Sequence, residues 1–461
     1  MRCKHRTIVQ LWLCLLLIAI PAQAQAQAQD KSRVLDIRQV TSPGGINAWL
    51  VEDHTLPIIA LKFAFKGAGA VNDPADRQGL TQLLSNTMDE GAGPYDSQAF
   101  QKKLNDNNIS LHFGNGRDHF SGTLQTLTKH KDLAFSLLKL ALNEPRFDED
   151  AVERMRAANL TRVRSSLSNP NWKTSRLLND VAFAGHPYAM NSGGTLTGLK
   201  NITADDLRTA VKNRLARNNL NISVVGDITV QELQKILDDI FSTLPKTASL
   251  KDVPDTTVQN GGQTILYRDD IPQTIISMIQ PGIGRRHPDY YTGMVMNFIL
   301  GSAGFGSRLT EEVREKRGLT YGISTYFYDL DHLKGLAVGT STKNESVSEL
   351  MELVQTEWQR MSDEPVTATE LENAKSYLIG SFPLSLSSTG QIAGLMLGLQ
   401  LDDMPIDYLN HRTERLNAVT TEKIQKLART LLTPDKMTVI MVGNPEGITP
   451  TRIVDTLPNV E

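Results

Sequence analysis

The chain has 461 residues, with 48 Lys and Arg against 51 Asp and Glu, two cysteines and an apolar fraction of 40%. That length exceeds one ordinary domain, and the apolar fraction is sufficient for buried cores, which excludes a wholly disordered chain. The net charge of −3 excludes a broadly basic nucleic-acid binder.

The first residues have the composition of an export signal. Three basic residues within the first six precede an unbroken apolar run from Leu11 to Ile20, and an Ala-Gln repeat follows. Those ten residues are too few to span a bilayer, which requires about 17–25. We therefore predict a secretory signal peptide over residues 1–28. The signal peptidase is expected to cut after one of three small residues, Ala24, Ala26 or Ala28.

The predicted signal has two consequences: it indicates the cellular location of the protein, and it excludes cysteine chemistry from the mature chain. No later segment is long and apolar enough to span a membrane, so we expect an exported protein without stable membrane insertion, periplasmic in a Gram-negative host. Both cysteines, Cys3 and Cys14, lie within the signal, which excludes disulfides, thiolate ligands and cysteine nucleophiles from the mature chain. Its removal also takes away three basic residues and leaves a net charge of −6.

Patterns typical of strands and of helices are mixed along the mature chain. Alternating apolar residues predict a strand at Ile59–Phe65, and apolar residues three and four apart predict a helix at Leu80–Met88. A second helix is predicted at residues 132–142, and Thr203 with Asp206 forms a capping box before a third. Because strands and helices do not alternate one for one, we predict an α+β fold with a largely antiparallel sheet packed with helices.

One pattern occurs twice. A helix pattern that begins at a threonine and leads into a strand ending in glycine covers residues 202–226 and recurs at 419–443, an offset of 217. Gly-Gly pairs at 44–45 and 261–262 keep the same offset. This repeat predicts two homologous domains of about 210 residues each, joined by a polar, turn-rich linker. The predicted domains are residues 34–245 and 260–461.

The histidines offer two weak patterns for a metal site. His411 and Glu414 have helical spacing, but position 415 is Arg, so a second imidazole is missing and a solvated helix face is the alternative. His112 and His119 flank two glycines in a predicted hairpin, where a third ligand is not evident. A pair of surface or strand histidines is the alternative there.

The most informative stretch is residues 304–321, which combine a helix and the beginning of a strand. Ser307 is a candidate helix cap, and Gly318 is suited to a left-handed exit. Alternating residues from Leu319 onward predict a strand. Arg314, near the last helical turn, and Tyr321, at the beginning of the strand, are therefore expected to converge on one cavity. The alternative is a core tyrosine and a solvated arginine. Residues 301–306 are either a mobile loop or a helix-entry turn.

This stretch resembles the pitrilysin-like, insulinase-type zinc metallopeptidase family, which includes insulin-degrading enzyme and mitochondrial processing peptidase. The resemblance covers most of the mature chain and includes its doubled α+β domain. It depends chiefly on the run Arg-Glu-Lys-Arg-Gly-Leu-Thr-Tyr that begins at Arg314. Weaker matches are His186-Pro187-Tyr188, Gly194-Thr195 and the strand that ends at Asp227.

Catalytic members of that family carry His-x-x-Glu-His on a helix of the first domain, and here the matching positions hold Gln82, Ser85 and Asn86. A neutral amide is a poor zinc ligand, and a serine hydroxyl does not act as a base near pH 7. The third ligand should be a glutamate near residues 159–163, but residues 154–179 contain no acid. The resemblance therefore implies a first domain without zinc. The other interpretation of these positions is the polar side of an amphipathic helix.

The other half of the family's active chamber contributes an arginine and a tyrosine, which match Arg314 and Tyr321. In two-chain members one subunit carries zinc and the other carries this pair. The resemblance therefore implies a zinc-less subunit of an exported heterodimeric metallopeptidase, not a stand-alone peptidase. Its expected partner is a homologous zinc-bearing subunit, and its expected substrates are unfolded peptides. A scaffold or peptide-binding protein without a catalytic role is the alternative.

Four arginines make one predicted helix basic. They face either solvent, an acidic partner surface or a peptide carboxylate. These residues are Arg154, Arg156, Arg162 and Arg164.

Overall fold

The computed structural model describes residues 34–461, so the predicted signal peptide and both cysteines lie outside the described residues. Alternating apolar residues form long strands, as the sequence predicts for Ile59–Phe65, which lies in β3. The strands are β1 Arg38–Thr41, β2 Asn47–Glu52, β3 Ile58–Lys66, β4 Gly91–Ala92, β5 Tyr95–Asp96, β6 Ser110–Asn115, β7 His119–Leu127, β8 Leu220–Gly226, β9 Thr264–Arg268, β10 Gln273–Pro281, β11 Ile323–Leu330, β12 Leu333–Lys343, β13 Thr438–Gly443 and β14 Arg452–Val454.

The predicted helices at 80–88 and 132–142 are present as Leu80–Thr87 and Lys131–Asn143. The predicted capping box is also present, since Thr203 Oγ1 accepts a hydrogen bond from Asp206 N and the Asp206 carboxylate accepts one from Thr203 N. The other α-helices are Ser97–Asp106, Glu149–Ser166, Pro170–Ala182, Leu196–Asn201, Ala204–Arg214, Val230–Phe241, Tyr290–Asn297, Arg308–Thr310, Val347–Asp363, Ala368–Gly380, Thr389–Leu401, Arg412–Asn417 and Thr421–Leu431.

Twelve of these strands form two mixed six-stranded sheets, and β4 and β5 form a separate two-stranded sheet, which confirms the predicted α+β class. The first sheet has the order β1-β2-β8-β3-β7-β6, and its neighbours are antiparallel except for β2 with β8. The second has the order β11-β12-β10-β13-β9-β14, in which β9 is parallel to both of its neighbours. Gly226 and Gly443 end equivalent strands with φ of 133° and 147°, which places the sequence repeat at matching points of the two sheets.

Each sheet is covered on one face by a helix from the other half of the chain. The Thr389–Leu401 helix lies against β3 and β8, and the Pro170–Ala182 helix lies against β10 and β13. Ala393 and Met396 are fully buried against the first sheet. Two hydrogen bonds fix this contact, from Ser223 Oγ to the Ala393 carbonyl (2.6 Å) and from Gln400 Nε2 to the Ile222 carbonyl (3.0 Å). The opposite face of the first sheet carries the larger apolar core.

A hydrogen-bond cluster also joins the two halves beside the exchanged helices. Tyr188 OH donates to the carboxylate of Asp118, whose other oxygen accepts from Asp331 N at 3.1 Å. His332 N donates to Tyr188 OH at 3.1 Å. Burial raises the pKa of the Tyr188 phenol, which therefore stays protonated as a donor. Among the described residues, no helix is long and apolar enough to cross a bilayer.

We expect the exchanged helix to contribute substantially to the stability of the whole chain. Met396→Ala removes a fully buried side chain and should lower the free energy of unfolding by about 2–5 kcal/mol. Gln391→Ala, on the exposed side of the same helix, should change it by less than about 0.5 kcal/mol. Urea unfolding followed by circular dichroism measures both. Equal effects of the two substitutions would contradict the importance of this packing.

Candidate functional site

The Leu80–Thr87 helix is held in place by a buried ion pair at its N-terminus. Gly79 adopts φ of 98°, and a side chain there would come within 2.6 Å of Gly194 Cα, so only glycine fits this entry. The Asp73 carboxylate accepts hydrogen bonds from the Gly79 and Thr81 amides and pairs with Arg214 Nη1 at 2.9 Å. The position of the helix is therefore set by side chains that no metal ion would contact.

Gln82, Ser85 and Asn86 meet two neighbouring elements, strand β6 and the Glu149–Ser166 helix. Gln82 Nε2 donates to Asn86 Oδ1 at 2.9 Å, and Ser85 Oγ donates to the Gln82 backbone carbonyl at 2.8 Å. Asn115 Nδ2, at the end of β6, reaches Gln82 Oε1 at 3.3 Å. The polar residues of the helix thus take part in a network and are not simply solvated.

Asn159 extends the network from the opposite helix, within the range where a third zinc ligand was expected. Asn159 Nδ2 donates to Asn86 Oδ1 at 3.0 Å, and Asn159 Oδ1 accepts from Arg162 Nη2 at 3.3 Å. Arg162 Nη2 also donates to the Gly193 carbonyl. We call Gln82, Asn86, Asn115 and Asn159 the carboxamide cluster. Sequence reasoning missed Asn115, although it lies three residues after His112 on a predicted hairpin strand.

The carboxamide cluster does not fit the zinc ion that catalytic members of the resembled family bind at these positions. The side-chain oxygens of Gln82, Asn86 and Asn159 each already accept a hydrogen bond, and a guanidinium lies against the last of them. Zinc requires imidazole nitrogens or anionic ligands, and a fixed cation nearby disfavours a second cation. Within residues 34–461, no group of three or more His, Cys, Asp or Glu side chains is arranged to hold a metal ion.

The helix before Tyr321 forms as predicted, but the strand after it begins later. Ser307 Oγ accepts from Thr310 N at 3.4 Å, the helix continues as a π-helical turn over Glu311–Glu315, and Gly318 has φ of 62°. The prediction that the strand begins at Leu319 is wrong, since β11 begins at Ile323. At Leu319 a side chain replaces the backbone hydrogen bond of a strand pair, since the Leu319 carbonyl accepts from Thr342 Oγ1 at 2.6 Å.

Tyr321 and Arg314 are both accessible. Tyr321 is 84% exposed, so the alternative of a core tyrosine is wrong. The Arg314 guanidinium lies 4.3 Å from the ring centre of Phe305, and its Nε is 3.6 Å from Glu315 Oε1. No hydrogen bond or ring contact joins Arg314 to Tyr321 in the described part of the chain. Sequence reasoning missed Phe305, for which the only signal was an aromatic residue between two glycines.

A second ion pair positions the helical turn that carries Arg314. Arg308, only 7% exposed, donates to both carboxylate oxygens of Glu370 at 2.6 and 3.0 Å. Burial opposes ionisation of Glu370, but hydrogen bonds from Arg308 and from Thr367 outweigh it and lower the pKa of the carboxyl to about 2. The bidentate pair therefore ties the 308–315 turn to the Ala368–Gly380 helix.

The remaining candidates are dispersed. His411 lies 3.6 Å from Glu414 on an exposed turn, as the solvated interpretation expects. His119 faces Asp331 at 3.7 Å, whereas His112 is exposed on β6. The four arginines of the Glu149–Ser166 helix do not form one solvated face. Arg156 is buried and donates to the Leu199 carbonyl, Arg154 pairs with Glu90 at 2.6 Å, and Arg162 and Arg164 are exposed.

Comparison with known proteins agrees with this architecture. Residues 59–195 match the family model "Insulinase (Peptidase family M16)", and residues 201–378 match "Peptidase M16 inactive domain". A Helicobacter pylori protein described as "Non-peptidase homolog YmxG" is 25% identical, over 85% of this chain and 90% of its own length. A Schizosaccharomyces pombe protein described as "Probable mitochondrial-processing peptidase subunit beta" is 24% identical, over 86% of this chain and 89% of its own length.

A solved structure shows the same fold over nearly the full described chain. The crystal structure of a peptidase M16 inactive domain from Pseudomonas fluorescens superposes with a TM-score of 0.83 and 26% identity. It covers 90% of this chain and all of its own.

The Arg308–Glu370 pair predicts a specific pH dependence of stability. Glu370→Gln leaves the buried Arg308 charge without its counter-ion and should lower the free energy of unfolding near neutral pH by about 3 kcal/mol. The folded-state pKa is lowered, so the benefit of the carboxylate is complete above its ordinary pKa of 4.5 and is lost as the pH falls towards about 2. The difference between wild type and variant should therefore narrow from pH 6 to pH 3.

Urea unfolding at the two pH values measures this difference. Glu364→Gln, which breaks an exposed pair with Arg360, is the control and should cost less than about 1 kcal/mol at either pH. A difference for Glu370→Gln that does not change with pH would show that the carboxylate charge is not what stabilises the turn.

Proposed function

This chain belongs to the M16 insulinase family of peptidases, and we propose that it is the zinc-less subunit of an exported two-chain metallopeptidase. A homologous chain with His-x-x-Glu-His would supply the zinc and the general base. This chain would supply Arg314 and Tyr321 to the shared chamber and would not cleave peptides alone.

The observation that carries the proposal is the contrast between the two candidate sites. The carboxamide cluster contains no base and no anionic ligand, whereas Tyr321 presents a hydroxyl that is open to solvent beside the Arg314 turn. A phenol can donate a hydrogen bond to a developing oxyanion, and a guanidinium can hold a substrate carbonyl. Neither role requires a metal ion bound to this chain.

The relatives support a subunit role in different ways. The Schizosaccharomyces pombe relative is described as a subunit, which fits a chain that acts together with another. The Helicobacter pylori relative is described as a non-peptidase homologue, which fits a chain without hydrolytic chemistry of its own. We further propose export through the predicted signal peptide, a periplasmic location in a Gram-negative host, and unfolded peptides as substrates.

We predict that the purified chain, without a partner, neither retains zinc nor cleaves peptides. Its only donors at the family's metal positions are neutral and hydrogen-bonded to each other. Metal analysis after dialysis against zinc, together with an assay on unfolded polypeptides, tests both statements. Stoichiometric zinc that accompanies proteolysis by the single chain would refute the proposal.

In the presence of the zinc-bearing partner, we expect Arg314 and Tyr321 to act on turnover. Arg314→Ala or Tyr321→Phe should lower kcat by about 10²–10³-fold, the effect of losing one oxyanion donor, while the two chains still co-elute in gel filtration. Lys316→Ala and Tyr326→Phe are matched controls on the same turn and on β11, and should leave kcat unchanged. Unchanged turnover in both test variants would remove the catalytic role.

A scaffold or peptide-binding protein without a catalytic role is the second candidate. The description of the Helicobacter pylori relative as a non-peptidase homologue favours it. The same variants separate the two functions. If this chain is only a scaffold, Tyr321→Phe should leave unchanged the activity of the complex that contains it.

A further inference from the structure

A cavity of about 460 Å³ lies in the second half, between the Tyr290–Asn297 and Thr421–Leu431 helices. Part of its wall is apolar and consists of the Tyr291 ring, Val419 and Leu427, each at most 8% exposed. That volume falls in the range of pockets that hold small organic molecules, about 300–1,000 Å³. None of the residues that line the cavity takes part in the proposed function.

Three cationic side chains line this cavity. Lys423 and Lys426 lie about one turn apart on the Thr421–Leu431 helix, and Arg415 lies on the short helix that precedes it. None of the three forms an ion pair within residues 34–461. The three cations and the single acid of the described lining, Asp289, give the cavity wall a net charge of +2. The cavity therefore favours an anion with more than one negative charge.

Two of these cations are held in position by neutral groups. The Arg415 guanidinium lies 4.8 Å from the ring centre of Tyr408 and 5.7 Å from that of Tyr291, and it makes no hydrogen bond to any residue that the structure describes. Lys423 Nζ donates to the Ala418 carbonyl at 2.8 Å, which leaves its other donors free. Because both side chains are already ordered, they lose little conformational freedom when an anion binds.

A buried hydroxyl without a partner also lines the cavity. Thr292 is only 5% exposed, and its side chain makes no hydrogen bond in the part of the chain that the structure describes. A buried polar group without a partner is unfavourable unless a ligand or an ordered water supplies one. The hydroxyl and the three cations can all donate hydrogen bonds, so together they favour a ligand with several acceptor oxygens.

We propose that this cavity binds a phosphate monoester, whose phosphate group contacts Arg415, Lys423 and Lys426. Such a group carries about −1.5 to −2 charges at pH 7 and three strong acceptor oxygens, which match the net charge of the wall and its donors. A carboxylate has one negative charge and two oxygens, so it leaves the wall undercompensated. The organic part of the ester packs against the Tyr291 ring. The site goes beyond the proposed function, since it requires no zinc-bearing partner.

The first test compares three ligands and needs no substitution in the protein. Isothermal titration calorimetry measures the Kd of phenyl phosphate, benzoate and inorganic phosphate with the purified full chain. We expect phenyl phosphate to bind about tenfold or more tightly than benzoate, because its phosphate group accepts additional charge-assisted hydrogen bonds. It should also bind more tightly than inorganic phosphate, which has no organic part to contact the apolar wall. A Kd for phenyl phosphate equal to that of either other ligand, or no binding of phenyl phosphate, would overturn the proposal.

Four variants locate the binding site. Arg415→Gln and Lys426→Gln should each raise the Kd of phenyl phosphate about tenfold or more, because each removes a charged donor. Asp289→Asn should lower the Kd, because it removes the acid of the wall. Lys436→Gln changes an exposed lysine outside the lining and is the control, which should leave the Kd unchanged. An unchanged Kd in both Arg415→Gln and Lys426→Gln, or a Kd that Asp289→Asn raises, would overturn the assignment.

Vesicles identify the source of the phosphate monoester. Sedimentation is measured with phosphatidylcholine vesicles that contain or lack phosphatidic acid, whose headgroup is a phosphate monoester. Binding that requires phosphatidic acid and is lost in Arg415→Gln would support the site and assign it to a lipid headgroup. Binding of phenyl phosphate without sedimentation would support the site and assign it to a soluble ester. Sedimentation that Arg415→Gln retains, without binding of phenyl phosphate, would overturn the proposal. None of these measurements uses the zinc-bearing partner, so their failure is distinguishable from failure of the two-chain proposal.

Discussion

Each sheet of this protein buries its second face under a helix that belongs to the other half of the chain. A sheet with one open apolar face is unstable in water, and the two halves solve this by exchange, with Pro170–Ala182 on the second sheet and Thr389–Leu401 on the first. Neither sheet can therefore keep its cover if the halves separate. The cluster of Asp118, Tyr188 and His332 adds directional hydrogen bonds to the same junction.

Because of this constraint, the stability of the fold does not depend on the chemistry of its candidate sites. The Leu80–Thr87 helix is fixed by the Asp73–Arg214 pair and by its buried leucines, so its position does not require a bound ion. Polar groups that would otherwise be costly when half-buried satisfy one another through Gln82, Asn86 and Asn159. The architecture around this helix is therefore maintained by contacts within the protein itself.

The candidate residues of the two halves lie in different surroundings. The second half presents an accessible tyrosine and an arginine stacked on Phe305, in a turn anchored through Arg308 and Glu370. The first half presents a guanidinium among amide donors at the edge of a sheet. Neither arrangement contains a histidine or a carboxylate placed as a metal ligand.

The sequence alone determined the features that depend on near neighbours. These features are the repeat at an offset of 217, the α+β class, the Thr203 capping box and the left-handed Gly318. Each was readable because it depends on local spacing or residue type. The tertiary structure alone decided where β11 begins, that Tyr321 is exposed, and that Arg156 is buried while Arg162 is accessible. It also decided which sheet each exchanged helix covers. These outcomes depend on partners such as Thr342, Leu199 and Gly193, which lie far along the chain or on other elements. Hydrophobic periodicity carries no information about which distant surface a residue will meet.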